Sequence, residues 1–189
     1  KLTAYHEAGH AVVTRSLPNM DPVHRISIVA RGMSLGHTLI PPQKDIIHET
    51  KTHLVHQITA MLGGRSAEEL VFNEVTTGAS NDFNQATAIA REMVTEYGMS
   101  DLGPINFGDS YDITSWSRSE GGSLSEETKA KIDHAVSNLI NACYKEALEI
   151  VKAHRIQLDA VSAALLEKET LDQDEFEKIM VSELPLKNS

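Results

Sequence analysis

Apolar residues recur along this chain with a helical period almost everywhere except in one early stretch, where they alternate. Residues 3 to 17 form the first predicted helix, with small or apolar residues around His6 and His10 and a Leu17-Pro18-Asn19 breaker at its end. Gly9 inside it would cost about 1 kcal/mol relative to alanine in an ordinary helix, which predicts close approach by another backbone. Residues 25 to 30 are β-branched and partly alternating, and 35 to 40 continue the pattern. Together they predict a small β-ribbon closed by Pro41-Pro42.

Helical period then returns. Leu54, Ile58, Met61 and Leu62 form a stripe over residues 50 to 62, and Gly63-Gly64 interrupts before 65 to 72 resume it. His53 and His56 share this segment with Lys51, Thr52 and Gln57, and are expected on a solvated face. A turn-rich stretch, Thr76 to Asp82, leads into a helix over 83 to 97 marked by Ala86, Ile89, Ala90, Met93 and Tyr97. With Ser80 or Asn81 as its cap, Asp82 falls in the first turn, where a carboxylate suits the positive end of the helix dipole.

Residues 109 to 122 are polar, contain the only tryptophan, Trp116, and are expected to be a mobile loop. Beyond them Ser123 and Glu126 predict a capping box for a long helix striped by Ile132, Val136, Leu139, Cys143, Ala147 and Ile150. A second helix carries Leu158, Val161 and Leu165. A third is opened by Asp172 with Glu175 and carries Phe176, Ile179 and Met180.

The expected fold is mainly α: one domain over 1–189, with an active-site part over about 1–108, the loop at about 109–122 and a helical bundle over about 123–181. Composition narrows its role. With 27 acidic against 17 basic residues the formal charge is −10. Without a Lys/Arg run to follow a phosphate backbone, nucleic acid is excluded as a partner. No stretch reaches the roughly 18 uncharged apolar residues of a membrane span, so these residues are expected to be soluble. Cys143 is the only cysteine, and its place on an apolar stripe predicts burial rather than reactivity.

The chemistry lies in the first helix. His6 and His10, four residues apart, are offset by about 40° around a helix and about 6 Å along it, so both imidazoles can face one point. Glu7 is turned about 100° further and can touch what the histidines bind. This is the His-Glu-x-x-His arrangement of two zinc ligands and a general base, and a shuffled chain of this composition would hold only about 0.04 copies of it. A catalytic zinc needs a third protein ligand. Val13 and Ser16 stand where the extended glycine-and-histidine form of the motif would place its further residues, so a distant carboxylate must serve. Glu68, Glu69 and Asp82 are the candidates, and spacing does not choose among them. The ribbon beside this helix offers a strand edge on which an extended peptide could pair, with Ile28, Val29, Ala30, Gly36 and His37 as candidate substrate-binding residues.

Five ordered motifs carry a resemblance: His6-Glu-Ala-Gly-His10; Arg31-Gly32 with Leu35-Gly36; Gly63-Gly-Arg with Ala67-Glu-Glu69; Thr77-Gly-Ala-Ser-Asn-Asp82; and Tyr97-Gly-Met-Ser100. Together they resemble the peptidase domain of the FtsH family, the membrane-anchored AAA metalloproteases of bacteria, mitochondria and chloroplasts. Two departures are modest: Ala30 precedes Arg31-Gly32 where the family usually has proline, and the segment around Asp101-Leu102 is slightly short. The resemblance implies a zinc endopeptidase with one catalytic Zn2+ held by His6, His10 and Asp82, Glu7 as general base, and Glu68 orienting a histidine. It implies cleavage of unfolded, misassembled or membrane proteins by zinc-activated water. In the family an ATPase module and membrane spans precede this domain; no Gly-x4-Gly-Lys-Ser/Thr phosphate loop occurs here. ATP dependence, hexameric assembly and anchoring in a bacterial inner, mitochondrial inner or thylakoid membrane would then belong to a longer parent. Two other readings of the residues are a ring-forming helical module with a structural metal and a zinc hydrolase of non-peptide substrates.

Overall fold

A computed structural model describes residues 1–29, 36–40, 48–107 and 124–182. Seven helices and three short strands occur among them: α1 (Leu2–Ser16), β1 (Arg25–Ser27), β2 (His37–Leu39), α2 (Lys51–Met61), α3 (Gly63–Phe72), α4 (Ser80–Thr95), α5 (Glu126–Ala153), α6 (Arg155–Lys168), β3 (Thr170–Asp172) and α7 (Gln173–Val181). The mainly helical architecture with a small sheet is the one expected. The stretch 109–122 lies outside the described residues.

The first helix is central because its side chains are small. Ala4, Ala8, Ala11, Val12 and Val13 are wholly buried, and α1 packs on α3, α6, α2 and α5 as well as on β1 and β2. Its closest partner is α3, and glycine is the reason. A Cβ at Gly9 would stand 2.7 Å from Cβ of Ala67, and one at Gly63 would stand 2.7 Å from the Gly9 carbonyl oxygen, so the two backbones meet without side chains between them. The glycine pair therefore opens α3 as well as ending α2.

In the C-terminal half, α5 packs on α3, α4 and α2, burying Ile132, Val136, Cys143, Ala147 and Val151. The Cys143 thiol donates to the Val55 carbonyl, and burial pushes its pKa up, as suits an unreactive core residue. Leu158, Val161 and Leu165 of α6 and Phe176 of α7 complete the core.

Four local expectations need correction. The ribbon is a three-stranded antiparallel sheet of order β2-β1-β3, because Thr170–Asp172 pairs with β1, register Ile26↔Leu171, on the side opposite β2. The cap of α5 is Ser125, which accepts from the Thr128 amide; Ser123 lies outside the described residues. Neither Ser80 nor Asn81 caps α4: a 3-10 turn, Thr77–Ala79, runs directly into it, and Thr76 caps that turn. His56 is buried, its Nδ1 donating to the Pro18 carbonyl at 3.0 Å, while His53 is half-buried and its Nε2 meets Gln57 Nε2 at 3.0 Å. An imidazole can lie on an apolar stripe when a distant carbonyl satisfies its N–H.

The Asp172–Glu175 capping box of α7 forms as expected, with both reciprocal bonds present. Asp172→Ala should remove one of them and cost about 1 kcal/mol, lowering the thermal midpoint by about 2–4 °C. Thermal unfolding followed by circular dichroism checks this.

Candidate metal centre

The helical spacing brings the imidazoles together as the motif requires. Nε2 of His6 and Nε2 of His10 lie 3.1 Å apart, with the rings edge to face at 81°. The other nitrogen of each ring is engaged behind the site. Nδ1 of His10 is 2.9 Å from the Ala60 carbonyl oxygen, which can only accept, so that nitrogen carries the proton and Nε2 presents its lone pair. Nδ1 of His6 is 2.7 Å from Oε1 of Glu68, which is wholly buried. The second oxygen of Glu68 accepts from the Thr76 hydroxyl at 3.1 Å. Glu68 thus ties α1 to the turn that leads into α4.

That turn delivers the third group. Asp82, in the first turn of α4, places Oδ2 3.3 Å from His6 Nε2 and 3.5 Å from His10 Nε2. His6, His10 and Asp82 each offer one ligand atom, all within 4.8 Å of one another, and they are the one such metal-ligating group among the described residues. The spacing can be tested against zinc. A tetrahedral ion about 2.05 Å from each ligand sets ligand atoms about 3.3 Å apart, and the separations here are 3.1, 3.3 and 3.5 Å. Two neutral imidazoles and one carboxylate are also a donor set that zinc accepts.

Electrostatics point the same way. Burial alone would push the His6 pKa down, but the hydrogen bond to Asp82, the charges of Glu7 and Asp82 and the bond to Glu68 outweigh it and raise the value. Burial alone would push Asp82 up, yet its interactions with His10 and His6 hold it well below the usual carboxylate range. A half-buried carboxylate held ionised beside two converging Nε2 atoms makes a pocket suited to a cation.

The rival carboxylate goes elsewhere. Glu69 accepts from the Tyr144 hydroxyl of α5, whose pKa burial and this bond push up to about 12, and it faces Arg65 at 4.0 Å. Of the three candidates, only Asp82 meets the Nε2 atoms.

Glu7 is buried, and its carboxylate meets β2: the Thr38 hydroxyl donates to Oε2 at 3.0 Å and approaches the Glu7 carbonyl at 3.3 Å. Gly36 and His37 stand at the start of that strand, which is an edge among the described residues. Ile28 and Val29 follow β1, which is paired on both sides; the Ile28 amide donates to the Glu169 carbonyl at 2.9 Å and the Val29 amide to the Ser27 hydroxyl at 3.2 Å. Ala30 lies outside the described residues. Three further residues shape the site, with roles that the motifs do not assign. Thr38 and Thr76 hold Glu7 and Glu68, and Gly64 leaves room for the imidazoles. Alternation offered a signal for Thr38, since Gly36 and Thr38, two apart on a strand, share a face.

Residues 1–179 match the family model described as peptidase family M41. The chain is 46% identical over 186 residues to the ATP-dependent zinc metalloprotease FtsH 1 of Thermoanaerobacter sp. (strain X514), covering 97% of this chain and 30% of that protein. It is 47% identical over 181 residues to the protein of the same name from Sphaerobacter thermophilus, covering 94% and 28%. With the ATP-dependent zinc metalloprotease FtsH of Thermotoga maritima the identity is 46% over 187 residues, covering 97% and 31%. The chain therefore spans about 30% of the length of these curated relatives.

Proposed function

Because the chain belongs to peptidase family M41, we propose that it is the zinc-dependent endopeptidase part of a longer ATP-dependent protease. The observation that carries this reading is the convergence of His6, His10 and Asp82 at zinc-like separations with Glu7 buried on the same helix turn.

His6 and His10 would hold the ion through Nε2 and Asp82 through Oδ2, leaving it a net charge of about +1. Zinc, when bound, supplies a Lewis acid that brings the pKa of a water toward 7 and polarises a peptide carbonyl. Glu68 and the Ala60 carbonyl fix the two rings with Nε2 forward. Glu7 accepts a proton from the attacking water and returns it to the leaving amine.

The substrate is an extended polypeptide that adds to the outer edge of β2, beside Gly36 and His37, through main-chain bonds that need no particular side chains. The double pairing of β1 supports β2, rather than the Ile28–Val29 segment, as the docking strand. Such a mode suits unfolded or misassembled proteins. ATP dependence, membrane anchoring and assembly into hexamers belong to the same reading as properties of the longer protein. No helix among the described residues is long and apolar enough to cross a membrane.

The test uses a short unstructured quenched peptide, which needs no ATP-driven unfolding, beside unfolded casein. Peptide hydrolysis that a chelator removes and added zinc restores is the expected result. Hydrolysis indifferent to chelation, or none by zinc-loaded protein, would overturn the reading.

A further inference from the structure

We propose that Thr38 is a positioning residue for peptide hydrolysis: its hydroxyl holds the carboxylate of Glu7, so that the strand offered to the substrate also aims the base. The inference rests on the reading of Glu7 as general base.

The register places Thr38 opposite Ile26, a wholly buried residue of β1. Directly paired residues of antiparallel strands project to the same face of a sheet, so Thr38 is turned toward the protein interior and α1. There its hydroxyl reaches Glu7 Oε2 at 3.0 Å, with the Glu7 carbonyl oxygen further off at 3.3 Å. The bond to an ionised carboxylate is the stronger of the two.

Two residues earlier on the same face, a Cβ at Gly36 would stand 2.6 Å from Glu7 Oε1 and 2.9 Å from its Cγ. One oxygen of Glu7 is thus confined by the bare backbone of Gly36 and the other is bonded by Thr38. A slip of β2 by one residue would bring His37 or Leu39 to this face and remove both features. The bond reaches Glu7 independently of the ligands, since Thr38 touches neither His6, His10 nor Asp82 in any hydrogen bond of the described residues.

Thr38→Val keeps the shape and the β-branch but removes the hydroxyl, whereas Thr38→Ser keeps the hydroxyl. Zinc stoichiometry and affinity, kcat and KM on the quenched peptide, and thermal unfolding of the metal-free protein are measured for both. Loss of a hydrogen bond to a charged group predicts a fall of about tenfold or more in kcat for Thr38→Val. KM should stay within about twofold and zinc affinity should not change, while Thr38→Ser restores most of kcat. Wild-type kcat in Thr38→Val, or equal impairment of both variants, would overturn the proposal. A double-mutant cycle of Thr38→Val with Glu7→Ala in the metal-free protein separates this inference from the endopeptidase reading. A coupling of about tenfold in the unfolding constant supports the bond, whether or not the wild type cleaves peptide, and additive effects refute it.

Discussion

Glu7→Gln should leave the protein folded and zinc-loaded while slowing peptide hydrolysis roughly a thousandfold, about 4 kcal/mol of transition-state stabilisation. Glutamine has the shape of glutamate, fits against Gly36 and keeps an oxygen to accept from Thr38, so the substitution changes little except the capacity to take a proton. The candidate ligand atoms belong to His6, His10 and Asp82, none of which it alters. Metal content, the thermal midpoint and initial rates on the quenched peptide are measured on one preparation. A rate within tenfold of wild type, with zinc in place, would remove Glu7 from the role of base.

Gly64→Ala should act on the metal instead. A Cβ there would stand 2.6 Å from Nε2 of His10, 2.7 Å from Cε1 of His6 and 2.8 Å from its Nδ1. The rings cannot swing away freely, because each Nδ1 is tied, one to Glu68 and the other to the Ala60 carbonyl, and α1 is packed against four helices and two strands. The imidazoles must leave their common focus or α3 must back away from α1. Disturbing the groups that orient ligands costs 10- to 100-fold in affinity, and a methyl group thrust at the ligand atoms themselves should cost about a hundredfold or more. Competition with a fluorescent chelator gives the number. Unchanged zinc affinity would mean that the site tolerates a displacement its hydrogen bonds oppose.

The parts of this molecule that could be read in the sequence are those fixed by local spacing. The four-residue spacing of His6 and His10 determines a shared direction on any helix, and Asp172 with Glu175 meets the geometric terms of a capping box unaided. Gly9 announced a close neighbour because glycine is costly inside a helix, but not that the neighbour would be Gly63. Asp82 is different. Glu68, Glu69 and Asp82 are all carboxylates on helices, and only the packing of α3 on α1 and the approach of the first turn of α4 to the two rings separate the group that meets Nε2 from the one behind the ring and the one turned toward Tyr144. Motif resemblance, not spacing, pointed to it in advance. The third strand gave no periodic signal at all: Thr170–Asp172 is three residues long and its partner Ser27 is 143 positions away. Ser123 and Ser125 both precede suitable partners for a cap of α5, and the pattern alone does not rank them.

That long separation bears on how the molecule comes into being. Helix α1 meets α2 and α3 early in the chain, but α2, α3 and α4 also pack on α5 and α1 on α6, and the central strand of the sheet waits for residues 170–172. Contacts of such high order form late, because the loop must close before the pairing rewards it. His6, His10, Asp82 and Thr38 of β2 all precede β3 in the chain, so their approach to one another does not wait on it, whereas the second flank of β1 does.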